Sequence, residues 1–235
     1  MKLELLKRLN QARAERRAAI LVTDTKSGEQ RLVEAGEDAA NPPVDPLGDV
    51  LAARFRSGRS GMAEDGVTFF TVHVPPPRLV MIGAVHISQA LSPMARLAGF
   101  DPLVIDPRTA FATPERFSGV PVIAQWPDEA LKEHRLDAYT ALAALTHDPK
   151  IDDMPIRSAL EKGCFYVGAL GSRKTHARRV ERLTMAGLSS ELIATIDAPI
   201  GADIGARSPA EIAVAILAEI IVALRKGPAS VRAAA

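Results

Sequence analysis

Cysteine is nearly absent from this chain of 235 residues, where Cys164 stands alone. One thiol excludes an intrachain disulfide framework and a zinc site of several thiolates, and it suits a reducing compartment. Aromatic residues are also scarce, at 4%, which disfavours a surface that stacks the bases of single-stranded nucleic acid. Neither sign of charge dominates: 29 Lys and Arg against 28 Asp and Glu leave a formal +1. That balance excludes a broad electrostatic footprint for nucleic acid or membrane, though not a local basic pocket. Long apolar runs are missing too. The longest, around residues 212–224, is broken by Glu219 and is too short and too polar to span a bilayer. Met1-Lys2-Leu3-Glu4 runs straight into charged residues, without the apolar core of a signal peptide. The expectation is a cytoplasmic protein with no membrane and no nucleic-acid partner.

What is present is an ordinary globular composition, 47% hydrophobic and 24% charged. At ~100–200 residues per domain, the length allows one domain or two small ones. Leu3, Leu6 and Leu9 form a thin apolar stripe on a helix over residues 1–17. Residues 19–24 and 29–35 read as strands around a Lys26-Ser27-Gly28 turn. Asn41-Pro42-Pro43 and Asp45-Pro46 exclude helix and central strand. A short helix over 47–56, a loop over 58–66 and a strand over 67–74 follow. Pro75-Pro76-Pro77 is a stiff spacer, and it marks the boundary between a small N-terminal α+β domain (1–74) and a second domain (78–235).

Beyond the spacer, strands alternate with helices. Strands are expected at 78–83, 103–106, 120–124, 138–145 and 164–168. Helices are expected at 87–97, 127–134, 152–162, 174–186, 190–195 and 209–226. The segment 138–145 is small and apolar throughout, as a parallel strand buried on both faces should be. The fold class is therefore α/β, a Rossmann-like doubly wound parallel sheet.

The strand–glycine–helix opening at Gly83 invites comparison with the dinucleotide fingerprint. That motif needs one glycine for the turn, one for close approach to pyrophosphate and one for helix packing. Gly83 supplies the first, but Val85 and Ser88 fill the other two positions. A valine side chain sits where a diphosphate should touch bare backbone, so NAD(P) is not expected there. Asp106 ends the next strand, where such folds grip ribose hydroxyls. His86 is either a ligand-facing group or a helix-terminal histidine in water. Thr146, His147 and Asp148 end the central strand at the edge where open sheets bind ligands, and their placement favours a ligand role over a plain turn. No Gly-x-Ser-x-Gly elbow accompanies His147, and neither catalytic residues nor a metal site is expected.

The most informative segment is 168–176. A strand ends in a glycine-spaced turn, and the next helix begins among Ser, Arg, Lys, Thr and His. Helix N-termini offer free N–H groups and partial positive charge, so Gly168, Gly171, Ser172 and Arg173 are assigned to an anion cradle. Arg178 lies about one turn further on, while Arg179 and Arg182 read as a solvated basic face. Ser208-Pro209-Ala210-Glu211 is a capping box with proline at the first helical position. Gly201, Asp203, Gly205 and Arg207, just before it, are candidates for a second ligand loop. The helix that follows carries a wide apolar face of core type. Cys164, in an apolar strand, reads as an inert buried thiol.

Several of these segments together resemble one family. They are Gly83-Ala84-Val85-His86, Val104-Ile105-Asp106-Pro107-Arg108, Phe111-Ala112-Thr113-Pro114-Glu115-Arg116-Phe117, Leu145-Thr146-His147-Asp148, Phe165 to Arg173, and Ile204 to Ala213. The chain is similar there to the XdhC/CoxI group, accessory factors of xanthine dehydrogenase and carbon monoxide dehydrogenase, over about residues 78–225. The resemblance implies a non-catalytic chaperone with a Rossmann-like second domain. It would bind molybdenum cofactor, promote its sulfuration with a cysteine desulfurase, and deliver it to an apo molybdenum hydroxylase of the xanthine dehydrogenase type. A homo-oligomer is expected.

The cofactor is a pterin carrying a dithiolene-bound metal and a phosphate, in some forms extended to a cytosine dinucleotide. Residues 168–173 would suit its phosphate, and His147, Asp148 and Asp203 would bond its pterin or nucleotide. Two features depart from the family pattern. Val85 stands where Gly-Ala-Gly-His is usual, and no cysteine precedes Cys164, although the family's longer N-terminal domain carries one. An NAD(P)-dependent oxidoreductase on the same fold, or a regulatory subunit without a cofactor, are the alternatives.

Overall fold

The computed structural model describes residues 2–35 and 47–226. The Asn41-Pro42-Pro43 and Asp45-Pro46 segments and the alanine-rich tail lie outside the described residues. The chain divides into two compact units, Met1–Pro75 and Pro76–Ala235.

The first unit comprises α1 (Leu3–Ala14), β1 (Ala19–Asp24), β2 (Gln30–Glu34), α2 (Gly48–Ser57), β3 (Gly61–Met62) and β4 (Thr68–His73). Its strands form an antiparallel sheet in the order β2-β1-β4-β3. Strand alternation sorts the apolar residues onto two faces. Ala19, Leu21 and Leu32 pack under Leu9 and Ala12 of α1. Ile20, Val22, Val33 and Phe70 pack under Leu51 of α2. The stripe of α1 is thinner than expected, because Leu3 and Leu6 stay exposed. Asp24 builds the turn between β1 and β2 by accepting the Lys26 and Ser27 N–H groups. The stretch expected as loop over 58–66 contains β3, a strand too short to show a periodicity in sequence.

The second unit comprises β5 (Arg78–Ile82), α3 (His86–Leu97), β6 (Asp101–Ile105), a short 3-10 turn (Pro114–Arg116), β7 (Val122–Ile123), α4 (Pro127–Glu133), β8 (Thr140–Ala144), α5 (Pro149–Glu161), β9 (Tyr166–Ala169), α6 (Arg173–Met185), α7 (Ser190–Ile193) and α8 (Pro209–Lys226). Its sheet is parallel, in the order β7-β6-β5-β8-β9. Helices α3 and α8 cover one face through Ile87, Leu91, Ile216 and Ile220. Helices α4 to α7 cover the other through Ala130, Ile156, Leu183 and Ile193. Every residue of β8 is buried, which explains its small apolar composition. This is the doubly wound, Rossmann-like arrangement expected.

Several boundaries differ from expectation by up to three residues, and two of them concern candidate residues. The helix after β8 starts at Pro149, not at residue 152, because Asp148 caps it by accepting the Lys150 N–H at 2.9 Å. Strand β9 begins at Tyr166, so Cys164 lies just before it.

Candidate functional site

In an open parallel sheet, ligands bind at the carboxyl ends of neighbouring strands whose connections leave in opposite directions. Here that switch point lies between β5 and β8. Gly83 ends β5 at φ +117°, and a Cβ there would lie 2.8 Å from Thr146 Cγ2. The glycine is thus required by the close approach of the two loops. The turn's donors are already consumed. Gly83 N–H bonds Ile105 O at 2.8 Å, Ala84 N–H bonds Asp106 Oδ2 at 2.7 Å, and Val85 N–H bonds Ser88 Oγ at 2.9 Å.

Asp106 is fully buried. Besides Ala84, its carboxylate accepts the Arg108 backbone N–H, Nε and Nη2. Burial pushes this carboxyl up, but the bonds from Arg108 and Ala84 outweigh it and hold it below the ordinary value. Asp106 therefore braces the Gly83 turn, and both of its oxygens are engaged where a ribose would approach. His86 is exposed at the first residue of α3. Close by, the Arg108 guanidinium stands 4.8 Å from the centre of the partly exposed Phe111 ring.

At the end of β8, Thr146 Oγ1 donates to Asp152 Oδ1 at 2.7 Å and accepts the Asp148 N–H at 3.0 Å. His147 is exposed with φ +64°, a left-handed conformation uncommon outside glycine but enriched in Asn, Asp and His. Asp152, a residue sequence reasoning passed over, is 1% exposed. Its Oδ2 has no hydrogen-bond partner among the described residues. Burial pushes its carboxyl up to about 6, against the opposing pull of the Thr146 hydroxyl and the Arg179 charge.

Arg179 corrects the expectation of a solvated face, since it is only 2% exposed. It sits four residues before the buried Leu183, on the inward side of α6. Its Nη2 donates to Leu170 O at 3.1 Å, while Nε and Nη1 have no partner among the described residues. Arg182, also expected in solvent, is tied to Asp153, with Nη2 3.0 Å from Oδ1. Between α5 and α6 these residues line a cleft of about 370 Å³, together with His147, Lys174, Thr175 and Arg178.

The glycine-spaced turn after β9 is partly architectural. A Cβ on Gly168 would meet Ile200 at 2.6 Å, so this glycine serves packing. Gly171 has φ +135° and sits against Thr175. Ser172 caps α6 by accepting the Thr175 N–H at 3.2 Å. Arg173 is exposed. Gly201 presses on α8, and its N–H donates to Glu219 Oε2 at 2.8 Å, which also accepts the Tyr166 hydroxyl at 2.6 Å. Asp203, Gly205 and Arg207 are exposed on that loop. The capping box is present: Glu211 accepts the Ser208 N–H at 3.0 Å, and Ser208 Oγ accepts the Glu211 N–H at 3.2 Å. Cys164 lies at the amino edge of the sheet, away from these loops. It is half-buried, not the fully buried thiol expected, and what burial it has, reinforced by Asp137, pushes its thiol up to about 12.

Among the described residues no helix is long and apolar enough to cross a membrane. The chain is 32% identical over 160 residues to the uncharacterized protein YqeB of Escherichia coli (strain K12), covering 68% of this chain and 30% of that one. It is 33% identical over 148 residues to a probable xanthine dehydrogenase subunit of Bacillus subtilis (strain 168), covering 63% and 43%. It is 30% identical over 146 residues to the molybdenum cofactor insertion chaperone PaoD of E. coli (strain K12), covering 62% and 40%. The chain thus spans less than half the length of these curated relatives. A crystal structure of a xanthine dehydrogenase from Bacillus halodurans shares the fold with a TM-score of 0.63 and 24% identity, covering 95% of this chain and 64% of that one. The XdhC Rossmann domain model matches residues 79–220, more than half of the sequence, and the chain belongs to that family.

Proposed function

We propose that the chain is an accessory factor that binds molybdenum cofactor and assists its insertion into a xanthine dehydrogenase-type molybdenum hydroxylase. The observation that carries this is membership of the XdhC family, with one relative named as a molybdenum cofactor insertion chaperone and another as a probable component of xanthine dehydrogenase. The cofactor is cargo here, so the chain must hold it and let it go. Its phosphate suits the basic edge formed by Arg173, Lys174 and Arg178, and its pterin suits hydrogen bonding by His147 and Asp148. Cys164 is a poor trap for the cargo, because its thiol stays protonated and lies at the opposite edge.

An NAD(P)-dependent oxidoreductase is disfavoured by the turn after β5. Val85 adds a side chain where a diphosphate would touch backbone, and the Gly83, Ala84 and Val85 N–H groups are already bonded within the fold. The sulfuration step with a cysteine desulfurase, the cytosine dinucleotide form of the cargo, a homo-oligomeric state and a cytoplasmic setting belong to the same proposal.

The test is delivery. Anaerobic loading of the chain with isolated cofactor, followed by addition of an apo xanthine dehydrogenase, should give more xanthine oxidation than the same amount of free cofactor. Equal activation overturns the insertion role. In parallel, NADH fluorescence should not change on adding the chain, whereas a saturable change would favour the oxidoreductase.

A further inference from the structure

The cleft between α5 and α6 holds charged groups that the fold alone does not explain. Burying a guanidinium without partners for its N–H groups is costly, yet Arg179 is 2% exposed with Nε and Nη1 unpartnered among the described residues. Asp152 faces the same cleft with Oδ2 unpartnered. The two residues do not bond each other. Both line the same cavity, and these unpartnered polar atoms are shielded from bulk water.

The surrounding charges specify what fits. Lys174 and Arg178 line the cleft from the exposed side of α6. Arg182 is neutralised by Asp153. Lys174, Arg178 and Arg179 against Asp152 leave a net charge of +2, from three cations and one carboxylate. The N-termini of α5 and α6 both open on this edge and add their partial positive charge. Thr175 supplies a hydroxyl at the same wall. A phosphate monoester carries roughly −1.5 to −2 near neutral pH and three strong acceptor oxygens, which matches both the charge and the donor set. A monocarboxylate would leave one cation unbalanced.

We propose that this cleft is a phosphate-monoester site, with Arg179 as its buried anchor and Lys174 and Arg178 as its outer clamp. It lies one turn further along α6 than the cradle suggested by the sequence at residues 168–173. It does not require the cofactor role, because any phosphorylated ligand or free phosphate has the required chemistry. If the chain does carry a pterin phosphate, this is where that phosphate docks.

The experiment is calorimetric titration of the full chain with inorganic phosphate and with cytidine monophosphate, at ionic strength held constant with sodium chloride. One saturable site is expected for at least one of the two. Tighter binding of the nucleotide assigns the site to an organic ester, and equal binding assigns it to free phosphate. Arg178→Ala, on the exposed side, and Arg179→Lys should each weaken binding at least about tenfold, the loss of one charge-assisted bond. Asp152→Asn should tighten it, because it removes a negative charge from the cleft and adds a donor. That gain is not produced by a purely structural role. No saturable binding of either probe, or affinities unchanged in Arg178→Ala and Arg179→Lys, overturns the site. Cofactor delivery that persists without phosphate binding would sink this inference and leave the accessory role standing.

Discussion

Gly83 and Thr146 touch across the switch point so closely that a Cβ on the glycine would lie 2.8 Å from the threonine methyl. The contact locks the loop after β5 to the loop after β8, the two that frame the crevice. It also sets where His147 and Asp148 begin.

Gly83→Ala should therefore destabilise the second unit by roughly 2–5 kcal/mol. The positive φ contributes roughly 1–2 kcal/mol, and overpacking about 1–3 kcal/mol. Thr146→Ser removes the clashing methyl, so in a double-mutant cycle it should recover about 1 kcal/mol or more of the loss. Urea denaturation reads both variants. An additive double variant would place the strain elsewhere.

Asp152 makes stability depend on pH in a defined direction. Its carboxyl is raised from 3.8 to about 6, so between those values the folded chain holds a proton that the unfolded chain has lost. Stability from this group is full below about pH 4 and falls as pH rises through about 6. Arg179 from α6, Arg108 from the loop after β6, and Thr146 and His147 from the loop after β8 all bear on this group, and the raised value is the net of burial against them. A shift of this size corresponds to about 3 kcal/mol. Asp152→Asn keeps the bond from Thr146 without the charge. It should be more stable than wild type at pH 7.5 by up to about 3 kcal/mol, and equal to it near pH 4. A variant less stable at pH 7.5 would mean that the Asp152 charge stabilises Arg179 more than its own burial costs.

Cys164 should resist labelling in the native state. A thiol moved from 9.0 to about 12 has its thiolate fraction at pH 8 reduced about a thousandfold. Iodoacetamide should modify the chain at pH 8 only after unfolding in guanidinium. Labelling of the native protein at the rate of a free thiol would contradict the raised thiol.

Particular residues show why much of the fold, and less of the site, was legible in sequence. The strand over Thr140–Ala144 was readable because both of its faces are covered, which leaves a run of small apolar residues with no alternation. The cap at Ser208 was readable because its bonds close within four residues. The two-residue strand at Gly61 was not, since its pairing with Phe69 and Phe70 is set by chain closure and not by local pattern. Asp152 and Arg179 were hidden for a related reason. Each is a charged residue on a helix, and such residues lie in solvent by default. Their burial depends on α5 packing beside α6, a contact between distant segments. One local signal was available: Arg179 shares its helix face with Leu183, four residues on.

The central claim is that this chain carries molybdenum cofactor. It is tested most directly by mixing the chain anaerobically with isolated cofactor, separating by gel filtration, and reading the fluorescence of the oxidised pterin across the column. The account predicts pterin fluorescence eluting with the protein, at a level that rises to saturation as cofactor is added. Pterin eluting only at the position of the free small molecule would contradict it.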